Sequence, residues 1–261
     1  MDILHLLGLL LMGAGLGFAG GVFGIGGGII AIPVLIIGFG TDQAAAQGTA
    51  LVLMVPNLLI AWWRYVHHNP LPWKDVVAVS LAGTIATWGA AHVANQIDQQ
   101  LLKSLCALFL LLVAISMIRG KRKGAGNGEA EDAAAKTAGK RPLLALVGAI
   151  GGGCMGLLGI GGGLVATPLF ARFVGLGQRT AQSFGISLAA PSAAIALGAY
   201  SLHGNVDWKL GLTLAVGGLF TVAPGVALAH RLPERKLQLW FGVMLAAASL
   251  WLLVGHYIMR N

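Results

Sequence analysis

The stretch GGVFGIGGGIIAIPVL, residues 20–35, decides the fold because it interrupts a long apolar segment with a cluster of glycines. The apolar segment runs from residue 4 to 38. A continuous helix of that length, at about 1.5 Å per residue, would overshoot the roughly 30 Å hydrocarbon core of a bilayer. We therefore expect the helix to break at the glycines. Irregular backbone at membrane depth is tolerated only where protein buries it or where it faces a water-filled cavity. The GIGGG motif thus predicts the tip of a re-entrant hairpin or of a discontinuous helix.

The same pattern returns 135 residues later, as MGLLGIGGGLVATPLF at residues 155–170. Between residues 21 and 83, 21 of 63 ungapped positions are identical to the residue 135 positions further on. The identities include rare residue types, namely Pro33 with Pro168, Gln47 with Gln182, Pro56 with Pro191, Tyr65 with Tyr200, His68 with His203, and Trp73 with Trp208. This order of matches predicts an internal duplication.

The composition places the duplicated chain in a membrane. Of its 261 residues, 57% are hydrophobic and 10% are charged, and the mean hydropathy is +0.81. Soluble domains have about 45–50% apolar and about 25% charged residues. There is too little charged surface here to cover a soluble fold, so we expect an integral membrane protein. The two cysteines, Cys106 and Cys154, lie in apolar segments and indicate neither a disulfide framework nor a zinc site.

Half of the net charge of +8 lies in one polar segment between the halves, residues 119–141, which hold seven of the 17 lysines and arginines and three of the nine acidic residues. The predicted organisation is a first transmembrane repeat at 1–119, a disordered cytoplasmic linker at 120–141, and a second transmembrane repeat at 142–261. The remaining basic residues stand at the ends of apolar segments, which is typical of topogenic charge. We therefore expect no nucleic-acid partner, only the lipid bilayer.

The distribution of lysine and arginine selects between two topologies. If each half crosses four times, the halves are parallel, and 11 basic residues lie inside and six outside. If the broken segment returns to its own side, each half crosses three times, the halves are inverted, and the split is 14 to three. The second split fits the positive-inside rule better. The predicted fold is all-α, with two inverted repeats, each holding a re-entrant or discontinuous segment and three spanning helices. Both termini would lie on the external side of the cell (inner) membrane.

Half-helices that begin at the glycine clusters predict an anion site. The start of a helix leaves backbone N–H groups without partners and carries about half a positive charge. Glycines leave those N–H groups open to a ligand. The residues expected to form the site are Gly26, Gly27, Gly28, Gly161, Gly162 and Gly163. The alternative is that these glycines only let helices pack closely.

Polar side chains within the apolar segments supply further candidate contacts. Gln47 and Gln182 occupy equivalent positions of the repeat, and a buried amide requires a hydrogen-bond partner. Either glutamine could contact the substrate or hold two helices together. Thr49 and Ser183 lie close by and could complete the hydrogen bonds of an oxyanion. Asn57, Ser187 and Ser192 could do the same, although packing between helices is the simpler role for each.

These motifs carry a family resemblance. Both glycine-rich stretches, together with AQGTALVL at 46–53 and HGNVDWKLG at 203–211, resemble the TauE/SafE family of sulfite exporters and related anion permeases. The resemblance covers both halves outside the linker. It implies a multi-pass permease for small inorganic or organosulfur anions such as sulfite, thiosulfate or sulfonates. We expect no cofactor, no metal and no enzymatic activity, because the sequence has no HExxH motif, no GxSxG motif and no catalytic carboxylate within an apolar segment.

The direction of transport follows from the absence of an acidic residue within an apolar segment. Proton relays normally use embedded carboxylates. Expulsion of an anion from a negative-inside cell needs none, because each charge gains about 2.3 kcal/mol per 100 mV. We therefore expect export by alternating access. An anion channel and a scaffold or assembly protein that does not transport are the remaining alternatives.

Overall fold

The computed structural model describes residues 3–68, 71–93, 139–158, 162–202 and 204–258, with isolated positions between 108 and 137. Every regular element within these ranges is a helix. Most of the predicted linker, most of the apolar segment at 101–118, and Gly161 lie outside the described residues.

The helices fall into two series. The first series is α1 (Ile3–Phe23), α2 (Gly28–Phe39), α3 (Gln43–His68) and α4 (Trp73–Val93). The second is α5 (Arg141–Leu158), α6 (Gly162–Leu169) with a π-helical extension (Phe170–Val174), α7 (Gln178–Leu202) and α8 (Trp208–Arg231), followed by α9 (Glu234–Ile258). The starts of α3 and α7, and of α4 and α8, are each 135 residues apart. The helices therefore follow the repeat of the sequence.

Glycines end two of these elements and aspartates begin two of the helices. Gly40 closes α2 and Gly175 closes the π-helical extension, both with left-handed backbone at φ 62° and 83°. Asp42 and Asp207 cap α3 and α8, where their carboxylates accept hydrogen bonds from the N–H groups of Ala45 and Leu210. Two of the acidic residues at the ends of apolar segments thus have a capping role.

Four of the described helices are long and apolar enough to span a membrane: α1, most of α3, α7 and α8. Shorter apolar helices are found in α5 and in α6 with its extension.

Prolines interrupt the hydrogen bonding of several helices, and at one of them a neighbouring helix supplies the missing hydrogen bond. Pro191 leaves the carbonyl of Ser187 without its helical partner, and Ser80 of α4 donates a hydrogen bond to that carbonyl at 2.8 Å.

The two series exchange their fourth helices. Helix α4 packs along α5 and α7, whereas α8 packs along α1 and α3. The core therefore consists of one body formed by α1, α2, α3 and α8, and a second body formed by α5, α6, α7 and α4. Helices α3 and α7 form the main contact between the bodies.

Glycines allow the exchanged helices to approach closely. A side chain at Gly17 of α1 would overlap the backbone of Gly218 on α8. The equivalent contact in the second body joins Gly152 of α5 to Gly83 of α4. Small residues at membrane helix interfaces permit such close backbone contact. Gly17, Gly83, Gly152 and Gly218 therefore serve the close packing of helices. None of these four glycines belongs to a GIGGG motif.

Contacts between helix ends gather the basic residues at one end of the bundle. Arg141 forms an ion pair with Asp75 at 2.9 Å, so α4 and α5 begin together. Lys140 donates a hydrogen bond to the carbonyl of Val174 at 3.5 Å, so the extension of α6 ends where α5 begins. Arg179 donates to the carbonyl of Leu232, which joins the start of α7 to the end of α8.

We call this the basic end. It holds nine of the ten lysines and arginines in the described part of the chain: Arg64, Lys74, Lys140, Arg141, Arg172, Arg179, Arg231, Arg235 and Lys236. Lys209 lies at the opposite end, where α8 begins and where the N–H of Asp207 donates to the hydroxyl of Thr49.

Candidate functional site

The first GIGGG motif breaks the chain between α1 and α2. Gly24, Gly26 and Gly27 have φ values of 68°, 70° and 85°, a left-handed backbone that side chains disfavour. A Cβ at Gly27 would lie 2.5 Å from the carbonyl oxygen of Leu16 on α1. The chain therefore reverses at the break and α2 starts back beside α1.

The second motif also separates two helices. Helix α5 ends at Leu158 and α6 begins at Gly162, one residue before the position equivalent to Gly28, where α2 begins. A Cβ at Gly162 would lie 2.8 Å from the carbonyl oxygen of Gly151 on α5. Helix α6 thus folds back along α5, and its extension returns to the basic end.

The two breaks are neighbours inside the bundle. A Cβ at Gly163 would lie 3.5 Å from the carbonyl oxygen of Gly24 and 2.9 Å from that of Gly185. Gly24, Gly28 and Gly163 are all buried. The N-terminal ends of α2 and α6, each with a partial positive charge, therefore come together in the protein interior.

Gln182 is the polar side chain that contacts the first break. Its amide nitrogen donates to the carbonyl of Phe23, the last residue of α1, at 3.2 Å. Its amide oxygen accepts a hydrogen bond from the hydroxyl of Tyr65 at 3.1 Å. The same hydroxyl lies 3.2 Å from the carbonyl oxygens of Gly21 and Val22. Gln182 thus joins α7 to the end of α1 and to α3.

The other predicted polar residues are distributed along α3 and α7. Gln47 accepts a hydrogen bond of 2.6 Å from the hydroxyl of Tyr200, and Thr49 binds the start of α8, so both lie toward the opposite end. Ser183 donates to the carbonyl of Arg179 within its own helix. The structure therefore brings together the two glycine clusters and Gln182, and does not bring Gln47 and Thr49 to the same place.

Three buried polar side chains have no hydrogen-bond partner among the described residues: Asn57, Thr167 and Ser192. Asn57 faces α8, because its amide would lie 2.6 Å from a Cβ at Gly218. It therefore lies between α3 and α8, next to Leu58, which contacts the first break. Thr167 approaches Gly185, the residue that also contacts Gly163.

The sequence interpretation overlooked the tyrosines as hydrogen-bonding partners of the glutamines. Each tyrosine of one repeat pairs with the glutamine of the other, Tyr65 with Gln182 and Tyr200 with Gln47. The signal was present, because two of the three tyrosines of the chain recur at the repeat spacing. Repetition does not reveal, however, that the partner belongs to the other half.

The sequence model of the family described as Sulfite exporter TauE/SafE matches residues 9–252, which includes both series of helices and both breaks. The chain belongs to the TauE/SafE family.

Proteins similar to this TauE/SafE chain are named as probable membrane transporters. It is 24% identical to a probable membrane transporter protein of Methanocaldococcus jannaschii over 94% of each chain. It is also similar to two probable membrane transporter proteins of Bacillus subtilis. One is 27% identical over 94% of this chain and 98% of the relative, and the other is 20% identical over 91% and 93%. Together with the apolar helices, these matches identify a multi-pass membrane transporter and not an enzyme.

Proposed function

We propose that the protein moves small oxyanions of the sulfite or sulfonate type across the cell (inner) membrane by alternating access. The anion would bind where the helices that follow the two breaks begin, at Gly26–Gly28 and Gly161–Gly163. The side chains proposed to support it there are Gln182, which contacts the first break, and the adjacent Ser183. Gln47 and Thr49, predicted from the sequence as further contacts, lie toward the opposite end and are not part of the proposed site.

The observation that carries this proposal is the contact between the two breaks. Gly24 and Gly163 are neighbours, so two helix N-termini from different halves of the chain converge at one buried place. Secondary transporters bind substrate at such interfaces between repeats, with half-helix N-termini directed at anionic groups.

The direction of the helices supports an inverted arrangement of the repeats. Helix α1 runs parallel to α8, whereas its counterpart α5 runs parallel to α4, which begins at the basic end. Helices α3 and α7 are antiparallel, because the start of each meets the end of the other. We take the basic end, and with it the linker at 120–141, as cytoplasmic by the positive-inside rule. The breaks are then the tips of re-entrant hairpins that enter from opposite sides.

The choice of substrate rests on the family. TauE/SafE proteins are described as sulfite exporters, and a small divalent or monovalent oxyanion suits a site built from backbone N–H groups. Export would proceed down the electrical gradient of a negative-inside cell, which favours expulsion by about 2.3 kcal/mol per charge and 100 mV.

The test is flux in proteoliposomes with labelled sulfite, thiosulfate, a sulfonate and a carboxylate. We expect saturable flux of the sulfur oxyanions, and loss of flux without loss of membrane insertion in Gly27→Leu and Gly162→Leu. Normal flux in both variants would refute the site. Currents that do not saturate and far exceed carrier rates would instead indicate a channel, and no flux of any anion would favour a scaffold.

A further inference from the structure

Two repeat-related hydrogen bonds join the two bodies of the protein. Tyr65 of α3 donates to the amide oxygen of Gln182 of α7 at 3.1 Å, and Tyr200 of α7 donates to that of Gln47 of α3 at 2.6 Å. Both bonds cross the contact between α3 and α7, which is the main interface between the bodies. Any movement of one body against the other must therefore change them.

The two pairs lie at opposite ends of this interface. Gln47 and Tyr65 are separated by about 27 Å along α3, at 1.5 Å per residue, and Gln182 and Tyr200 are equally far apart on α7. The Tyr65 pair lies toward the basic end, since the ring of Tyr65 is 4.8 Å from that of His230 near the end of α8. The Tyr200 pair lies toward the end where α8 begins.

The breaks lie between the two pairs. A Cβ at Gly26 would be 2.7 Å from the side chain of Leu58, between Gln47 and Tyr65 on α3. A Cβ at Gly24 would be 2.9 Å from the side chain of Ile186, between Gln182 and Tyr200 on α7. The Tyr65 pair therefore adjoins the first break on the side of the basic end, where it also contacts the last residues of α1, and the Tyr200 pair lies further away on the other side.

The pair at the basic end is the more firmly closed of the two. Tyr65 and Gln182 are both 0% exposed, whereas Tyr200 is half-buried. A further bond on the same side, from the indole of Trp62 to the hydroxyl of Ser187 at 3.0 Å, also joins α3 to α7. The repeat places Leu197 and Val52 at the corresponding positions, so this bond has no equivalent toward the other end.

We propose that the two tyrosine–glutamine pairs are the gates of the transport cycle, and that the structure, in which both pairs are formed, represents a state closed at both ends. The proposal rests on the alternating access proposed above. Each pair breaks when the bodies separate at its end and forms when they close there. Tyr65 and Tyr200 are thus gating residues that control access to the breaks.

The experiment measures the distance between the bodies at both ends by double electron–electron resonance in proteoliposomes. One pair of spin labels, at His67→Cys and Phe173→Cys, reports the basic end. The other, at Phe39→Cys and Leu202→Cys, reports the opposite end. All four side chains are exposed, and the native Cys106 and Cys154 are replaced by alanine.

Removal of one hydroxyl should shift the balance between the two states in opposite directions at the two ends. An interhelical hydrogen bond in a membrane protein shifts an equilibrium by about threefold. We expect Tyr65→Phe to increase the long-distance population at the basic end by about that factor and to decrease it at the opposite end. Tyr200→Phe should change the two populations in the opposite sense. Gln182→Leu removes the acceptor of the Tyr65 hydrogen bond and should therefore act like Tyr65→Phe.

The control is Thr213→Val, which removes a hydroxyl that donates only to the carbonyl of Lys209 within α8, and it should change neither distance. Unchanged distances in Tyr65→Phe and Tyr200→Phe, or changes of the same sign at both ends, would overturn the proposal that the two pairs are gates. Flux in the same vesicles separates the two proposals. Reciprocal distance changes without flux of any oxyanion would refute the proposed substrate but support the proposed gates. Flux without reciprocal distance changes would refute only the proposal that the pairs are gates.

Discussion

Substitution of Gly27 by alanine tests the break most sharply, because a single methyl group adds two separate penalties there. The backbone at Gly27 has a φ of 85°, and a left-handed conformation costs a residue with a side chain about 1–2 kcal/mol. In addition, the new Cβ would lie 2.5 Å from the carbonyl oxygen of Leu16, in the backbone of α1. Backbone cannot rotate away as a side chain can, so the start of α2 must move by more than about half an ångström.

Two other glycines separate these penalties. Gly40 has a φ of 62° and no atom within 4 Å of a Cβ, so Gly40→Ala adds only the backbone strain. Gly15 lies within α1 with open space around it, so Gly15→Ala adds neither penalty and gains up to about 1 kcal/mol of helix propensity. Thermal unfolding in detergent should rank the variants Gly15→Ala, Gly40→Ala and Gly27→Ala in order of decreasing stability.

Transport should distinguish the variants more strongly than stability does. A displacement of about 1 Å in a positioned binding group can cost on the order of 100-fold in rate. We expect the anion flux of Gly27→Ala to fall at least about tenfold, while Gly15→Ala and Gly40→Ala keep the flux of the wild type. Equal flux in Gly27→Ala and Gly15→Ala would refute the role of the break, and equal stability of Gly27→Ala and Gly40→Ala would refute the close contact with α1.

Three further predictions concern packing, charge and sidedness. Gly17→Ala should destabilise the protein by about 1–3 kcal/mol in thermal unfolding, because its methyl group overlaps the backbone of α8; an unchanged melting temperature would contradict the helix exchange. Arg141→Ala should lower the free energy of unfolding by about 1–2 kcal/mol, because it leaves the buried carboxylate of Asp75 without its ion pair. High salt should not restore this stability. A smaller loss of stability in Arg141→Ala than in Asp75→Asn would contradict that reasoning. In sealed vesicles, a membrane-impermeant maleimide should label Arg172→Cys from the side of the linker and Lys209→Cys from the other side; labelling of both from one side would contradict the return of α6 to the basic end.

The sequence predicts the breaks and the repeat because both depend on local chemistry. Three consecutive glycines inside an apolar run too long for one span can hardly continue a helix, and Gly26 and Gly27 indeed adopt left-handed backbone. The spacing of 135 residues also locates the starts of α3 and α7 correctly, since the two helices begin at the equivalent residues Gln43 and Gln178.

The exchange of α4 and α8 could not be predicted in this way. Sequence identity between the halves says which elements are alike, but it does not say which copies pack together. Gly17 and Gly83 are both recognisable as small residues in apolar helices, yet the partner of each lies in the other half of the chain, at Gly218 and Gly152. Long-range pairing depends on the relative placement of whole helices, which a single sequence does not encode locally.

The roles of the polar residues were only partly predictable for the same reason. The requirement that Gln182 find a hydrogen-bond partner follows from its burial, and the structure supplies that partner as Tyr65. The orientation of Asn57 toward Gly218 depends on its angular position on α3, which contains Pro56. A proline kink of unknown angle makes that position uncertain from sequence alone.

Binding of the anion to the backbone of the breaks can be measured directly by nuclear magnetic resonance on protein labelled with ¹⁵N-glycine, titrated with sulfite and with chloride as a control. The account predicts saturable shifts of the amide signals of Gly26–Gly28 and Gly161–Gly163 with a single dissociation constant, while Gly15 and Gly40 stay unchanged. Shifts confined to other glycines, or no saturable shift at either break, would contradict the claim that the two helix starts hold the transported anion.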